Sequence, residues 1–198
     1  MNILFTHSYF LRFDEKQFKQ RKPYPPLATI QAASNLRKKG HQVALFDTNF
    51  AYKADEISSY LNQHPEVLVI YDDGFNYLTK MCLTNMREAA FEMIQLAKHQ
   101  NIPVFVSSSD STDHFEEYLR KGADAVILGE ADVTLSELIE SGENWNRCQG
   151  IAFLKDGKVQ QNTKRPVLTD LSALPLPAWD LINIKPYQEA WSIHGYFS

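Results

Sequence analysis

The chain has 198 residues, of which 44% are hydrophobic and 22% are charged, and its formal net charge is −4. These values are typical of a globular protein with one domain and an appendage, and the length is sufficient to bury a core. Non-specific binding to nucleic acid or to an acidic membrane surface requires an excess of positive charge, which this chain lacks.

The start of the chain and its cysteines favour a cytoplasmic protein. No apolar run reaches the length needed to cross a bilayer. The stretch from Met1 to Phe5 has the pattern of a strand and lacks the basic start of a signal peptide. Cys82 and Cys148 are too far apart in sequence to form a metal-binding pair, and isolated thiols in a leaderless chain are typical of a reducing compartment.

Short apolar runs alternate with helical patterns along the first two thirds of the chain. The runs at 2–6, 42–46, 67–71, 102–106 and 123–128 predict five buried strands. A helical pattern follows each strand, and the clearest is the 3.6-residue repeat from Met86 to Ala97. This alternation predicts an α/β domain over residues 1–142: a flavodoxin-like, doubly wound, five-stranded parallel sheet with strand order 2-1-3-4-5.

The pattern changes after Gly150. Two short strands flank Asp156-Gly157, a pair that favours a type I′ turn, so we expect a small β-hairpin as an extension over residues 143–168. Residues 169–198 form a linker, extended at Leu174–Pro177, and an aromatic tail. Exposed aromatic residues such as Trp179 and Trp191 would be unfavourable, which suggests a fragment or a tail that packs on a partner.

The expected ligand site is the carboxyl edge of the sheet, where ligands of open α/β sheets bind. A dinucleotide site would need G-x-G-x-x-G after the first strand, but Thr6-His7-Ser8-Tyr9 stands there, and no Walker P-loop is present. A phospho-receiver remains an alternative: Asp72 and Ser107 meet two of its four requirements, but its acidic pair and its lysine are missing.

Three stretches carry a resemblance to a known family. They are Arg21-Lys22-Pro23-Tyr24-Pro25-Pro26-Leu27 before a helix, the run from Gly129 to Leu138, and Leu174-Pro175-Leu176-Pro177-Ala178-Trp179-Asp180-Leu181. In this order they resemble the N-terminal half of cobalamin-binding radical SAM proteins, a group that includes the anaerobic magnesium-protoporphyrin ester cyclase and B12-dependent methyltransferases. The resemblance covers essentially the whole chain.

The resemblance implies that this domain binds cobalamin. A C-terminal radical SAM barrel of the same chain would follow, and the [4Fe–4S] cluster and S-adenosylmethionine would belong to that barrel, as would methyl transfer or oxidative cyclisation. No C-x-x-x-C-x-x-C motif is present here, so residues 169–198 would be a linker and the start of the missing barrel. The fragment alone would not be catalytic.

The implied cofactor contacts lie at the strand ends, and no protein ligand to cobalt is expected. The contacts are Thr6, His7, Ser8, Pro26, Leu27, Tyr71, Asp72, Asp73, Gly74, Phe75, Ser107, Ser108, Ser109, Asp110, Gly129 and Glu130. Family members often carry Gly-Gly-Pro-His where this chain has Ser107-Ser108-Ser109-Asp110. That departure motivates the alternative of a non-enzymatic docking or signalling module that has lost cobalamin.

Overall fold

Seven strands form a single sheet in the order β2-β1-β3-β4-β5-β6-β7. A computed structural model of the chain describes residues 1–72, 83–142 and 144–195. The strands are β1 (Asn2–Thr6), β2 (Gln42–Phe46), β3 (Val67–Tyr71), β4 (Val104–Ser107), β5 (Ala125–Ile127), β6 (Ile151–Lys155) and β7 (Lys158–Gln161). The first five strands are parallel, whereas β6 is antiparallel to β5 and β7 is antiparallel to β6.

Eight α-helices are described, and most of them connect the strands. They are α1 (Glu15–Gln20), α2 (Leu27–Lys38), α3 (Ser58–Leu61), α4 (Leu83–His99), α5 (Ser109–Asp113), α6 (Phe115–Arg120), α7 (Asp132–Glu140) and α8 (Ile184–Ser192). Short 3-10 turns lie at Leu11–Phe13, Thr48–Phe50, Ala54–Ile57, Trp145–Arg147, Leu171–Ala173 and Trp179–Leu181. Within these described ranges no helix is long and apolar enough to cross a membrane.

The central strand β3 shows why the sheet has two hydrophobic faces. All five of its residues are buried, because successive side chains point to opposite faces and both faces are covered. Leu68 and Ile70 pack with the apolar stripe of α4, including Met93. Val69 packs on the other side, in a cluster that also contains Ile30 of α2 and residues of α7.

The α/β class and the mainly parallel sheet are confirmed, but the expectation of five strands is corrected to seven. The pair β6–β7 lies in the same sheet, because Ile151–Phe153 pair with the free edge of β5 and satisfy its backbone groups. Between the two strands, Asp156 and Gly157 have φ angles of 51° and 74°. A two-residue turn of this kind needs positive φ at both positions, and glycine adopts it without a steric penalty.

The segment after β7 packs on its own chain rather than standing free. The backbone N–H of Ala178 donates to the carbonyl of Ile30, and Ser34 donates to the carbonyl of Leu176, so residues 174–178 run along α2. Tyr187 of α8 is only 2% exposed, and the indole of Trp191 donates to the carbonyl of Pro23. Among the described aromatic residues of this segment, Trp179 remains about half exposed.

Candidate functional site

Hydrogen bonds join the carboxyl ends of three neighbouring strands. Ser8, just after β1, donates its backbone N–H and its hydroxyl to the Asp72 carboxylate, at 2.5 and 2.9 Å. Asp72, just after β3, donates its backbone N–H to the carbonyl of Ser107 at the end of β4. The predicted edge residues of β1, β3 and β4 are therefore brought together.

Asp72 is a buried structural carboxyl. Its burial raises its pKa above the ordinary value, and the bonds from Ser8 only partly oppose that effect. Both carboxylate oxygens accept from Ser8, and the residue is 9% exposed. This enclosure argues against the phospho-receiver reading, which requires an aspartate that solvent and a phosphodonor can reach.

His7 is buried and hydrogen-bonded just after β1. It is 2% exposed; Nε2 lies 3.0 Å from Oδ1 of Asp47, and Nδ1 lies 3.0 Å from Oγ1 of Thr48. The neighbouring Thr6 donates its hydroxyl to the carbonyl of Phe46. Both residues therefore connect β1 to the end of β2.

The turn from Ser107 to Asp110 is fixed by its own hydrogen bonds. The backbone N–H of Ser108 donates to Oγ of Ser111 at 2.9 Å, and the N–H of Ser111 donates to Oγ of Ser108 at 2.8 Å. This reciprocal pair is a capping box at the start of α5. The hydroxyl of Ser108 is consequently engaged, whereas Ser109 is exposed.

Arg87 of α4 pairs with Asp110 through two parallel bonds. Nε donates to Oδ2 at 2.8 Å and one terminal nitrogen donates to Oδ1 at 2.6 Å. The hydroxyl of Tyr118 also donates to Oδ2 of Asp110 at 2.8 Å. Burial raises the pKa of Asp110, but the bonds from Arg87 and Tyr118 outweigh it and hold the pKa below the ordinary value.

The described side chains around Asp72 and Asp110 enclose a small cavity. The cavity between them has a volume of about 10 Å³, roughly the room needed for one water molecule. Its lining comprises Ser8, Asp72, Leu83, Met86, Arg87, Ser108, Ser109, Asp110 and Tyr118. This cavity is too small to hold more than a water molecule.

Four described members of the predicted site are exposed. Leu27, at the start of α2, is 48% exposed, and Ser109, Gly129 and Glu130 are also exposed. Gly129 has a φ of +93°, and a Cβ built there would meet no atom within 4 Å, so the space beside it is open. The Glu130 carboxylate accepts from the backbone N–H of Leu168, which ties the segment after β7 to this edge.

The remaining predicted residues are internal or fall outside the described ranges. Pro26 is buried beside Leu27, and the carbonyl of Tyr71 accepts from the hydroxyl of Thr29 at 2.6 Å. Asp73, Gly74 and Phe75 lie outside the described residues. Sequence reasoning missed Arg87 and Tyr118, because both occupy ordinary helix positions and their partner Asp110 was assigned to a polar loop.

Metal-binding and thiol chemistry receive no support from the described ranges. Across 1–72, 83–142 and 144–195, no group of three or more histidine, cysteine or acidic side chains could hold a metal ion. Cys148 is buried, and burial raises the pKa of its thiol to about 11. A neutral, enclosed thiol of this kind is a packing residue.

Comparisons with known proteins agree with the fold and the predicted family. No protein-family model matches the chain. The anaerobic magnesium-protoporphyrin IX monomethyl ester cyclase of Synechocystis is 29% identical over 170 residues, which cover 82% of this chain and 33% of the cyclase. An uncharacterized methyltransferase of Pyrococcus horikoshii is 25% identical over 171 residues, covering 83% of this chain and 35% of that protein.

Two solved structures share the architecture. The cobalamin-dependent S-adenosylmethionine radical enzyme OxsB, solved with aqua-cobalamin and S-adenosylmethionine bound, matches with a TM-score of 0.69 and 14% identity. That match covers 96% of this chain and 25% of OxsB. The resemblance to cobalamin-dependent radical SAM enzymes is confirmed. The radical S-adenosylmethionine methyltransferase TsrM from Kitasatospora setae matches with a TM-score of 0.57 and 16% identity, over 89% of this chain and 31% of TsrM.

The chain is much shorter than the proteins that it matches. The chain spans about a third of the two curated relatives and about a quarter of OxsB. At 14% and 16% identity the solved structures establish the shared fold.

Proposed function

We propose that this chain is the cobalamin-binding module of a larger radical SAM enzyme. The observation that carries the proposal is coverage, because 96% of the chain superposes on a structure with aqua-cobalamin bound, so the likeness does not rest on one motif. In the proposed organisation, residues 1–142 bind the cofactor, residues 143–168 extend the sheet, and residues 169–198 lead towards a C-terminal barrel. That barrel would hold the [4Fe–4S] cluster and S-adenosylmethionine, in a cytoplasmic enzyme.

The exposed edge suits a large macrocycle with an amide-bearing rim. Leu27 offers an apolar contact, Ser109 offers a hydroxyl, and the open space beside Gly129 lets a ligand approach the backbone. Cobalamin would supply the methyl-transfer or oxidative chemistry, whereas these residues bind and orient it. The buried edge residues would hold the strand ends in place, and His7 would not contact cobalt because both its ring nitrogens are engaged.

The alternative of a docking module that has lost cobalamin is not favoured. It was motivated by Ser107 and Ser108 in place of two glycines. In the structure the side chain of Ser108 turns back onto Ser111 and closes the capping box, so it does not project across the open edge. The serines are therefore compatible with a ligand above that edge.

Reconstitution with hydroxocobalamin tests the proposal. We expect the desalted chain to retain a corrin spectrum of the base-off type. Ser109→Trp should abolish retention by covering the exposed edge without disturbing the capping box. Ser59→Trp, at an exposed serine of α3, is the matched control and should retain the cofactor. Complete loss of corrin from both this chain and the full-length protein would overturn the proposal.

A further inference from the structure

The ion pair between Arg87 and Asp110 connects the long helix α4 to the turn that presents the exposed Ser109. Helix α4 has 17 residues, and its apolar face, including Ala90, Met93 and Ile94, is fully buried against the sheet. Arg87 projects from this helix and donates two hydrogen bonds to the carboxylate of Asp110 in the first turn of α5. Two parallel bonds from one planar guanidinium fix the orientation of the carboxylate as well as its distance.

Asp110 in turn holds the backbone that presents Ser109. The two residues are adjacent, and Ser109 follows the capping residue Ser108. The hydroxyl of Tyr118 also donates to Oδ2 of Asp110, and the Tyr118 ring packs edge-on against Phe91 of α4. The exposed turn is therefore fastened to α4 at one point by an arginine and a tyrosine acting together.

We propose that Arg87 and Asp110 are positioning residues for corrinoid binding, an inference that rests on the proposed function. They do not touch the ligand; they hold the Ser107–Ser109 turn in its binding position before the ligand arrives. When the turn is already ordered in the free protein, ligand binding carries no free-energy cost for ordering it. Preorganisation of the turn therefore increases the affinity for the ligand. Loss of the pair leaves the turn held by its capping box without the bonds to α4, and binding of the corrinoid must then restore the order that those bonds supplied.

The test is a titration of the 198-residue chain with hydroxocobalamin, followed by its visible absorbance. We expect Arg87→Met and Asp110→Asn each to weaken binding about tenfold or more. Arg87→Lys should lie between Arg87→Met and the wild type, because lysine keeps the charge but cannot form the two parallel bonds. Arg120→Met is the matched control: it breaks the exposed Arg120–Glu116 pair on the adjacent helix α6 and should leave the affinity unchanged.

A second measurement separates positioning from stability. Urea unfolding without ligand gives the folded fraction of each variant, and the titrations are carried out where that fraction exceeds about 95%. Weaker binding by a fully folded Arg87→Met chain supports the positioning role. Unchanged or tighter binding by that chain overturns it, while leaving the proposed function intact. Failure of the wild-type chain and the full-length protein to bind any corrinoid overturns the proposed function itself.

Discussion

The phenol of Tyr187 donates a 2.6 Å hydrogen bond to Oδ2 of Asp47 and so attaches helix α8 to the end of strand β2. Oδ1 of the same carboxylate lies 3.0 Å from Nε2 of His7, after β1. Burial raises the pKa of Asp47, but the bonds from His7 and Tyr187 outweigh it and keep the pKa below the ordinary value. Asp47 thus connects the segment after β7 to the carboxyl edge of the sheet.

Removal of the Tyr187 hydroxyl tests this connection. We expect Tyr187→Phe to lower the free energy of unfolding by about 1–3 kcal/mol, because a buried carboxylate loses one of its hydrogen-bond donors. Amide hydrogen exchange in α8 should accelerate, since the phenol anchors that helix. Tyr52→Phe, at a tyrosine that is largely exposed, is the control and should change neither quantity. Equal exchange rates in α8 of the wild type and Tyr187→Phe would contradict the anchoring role.

Asp72 makes a pH-dependent contribution to stability. Its pKa is raised in the folded chain, so the folded state binds the proton more tightly than the unfolded state does. The contribution of Asp72 to the free energy of unfolding therefore falls as the pH rises from the ordinary carboxyl pKa of 3.8 to the raised pKa of the folded chain. Above the raised pKa this contribution levels off. The asparagine of Asp72→Asn does not titrate. The free energy of unfolding of this variant should therefore rise relative to that of the wild type as the pH increases between the two pKa values.

Urea unfolding between about pH 4 and pH 8 measures this difference. Asp113→Asn, at an exposed carboxylate at the end of α5, is the matched control and should follow the wild-type pH profile. A constant difference in free energy between Asp72→Asn and the wild type at every pH would contradict the raised pKa.

Cys148 should resist thiol reagents in the folded chain. It is 1% exposed and its pKa is about 11, so both access and the thiolate fraction are low near neutral pH. In a Cys82→Ser chain, where Cys148 is the remaining cysteine, we expect labelling at pH 8 to be about 100-fold slower than for a free thiol. Urea should restore the full rate. Fast labelling in the absence of denaturant would show that the β5–β6 region opens readily.

The elements that sequence analysis placed well are those with a strong local pattern. Strand β3 is a continuous apolar run, and α4 repeats its apolar residues every three to four positions, so both could be predicted without tertiary information. Helix α8 was missed, because its buried face is short and depends on Asp47 and Pro23, which lie far away in sequence. The pairing of β6 with the edge strand β5 likewise joins residues that are distant in sequence. The local pattern of a hairpin does not show which strand the hairpin will pair with.

Sequence analysis likewise predicted some features of the candidate site and missed others. Position at a strand end was enough to bring Ser8, Asp72 and Ser107 together, since parallel strands share one carboxyl edge. Position at a strand end did not reveal which of these side chains would form hydrogen bonds within the protein. His7 turns to Asp47, and Asp110 turns to Arg87, because buried polar groups must find partners wherever the packing allows. The exposed contacts inferred for Leu27 and Ser109 stay a prediction.

The bond between Tyr187 and Asp47 also bears on the order of events during synthesis. The two residues are 140 positions apart, so at roughly 5–20 residues per second about 7–28 s pass between their additions on the ribosome. During that interval the first strands can pair, but the Asp47 carboxylate and the surface of α2 still lack their covering segment. Nascent chains of this length would expose apolar surface that the finished chain conceals, and they are the stage at which chaperone contact would matter most.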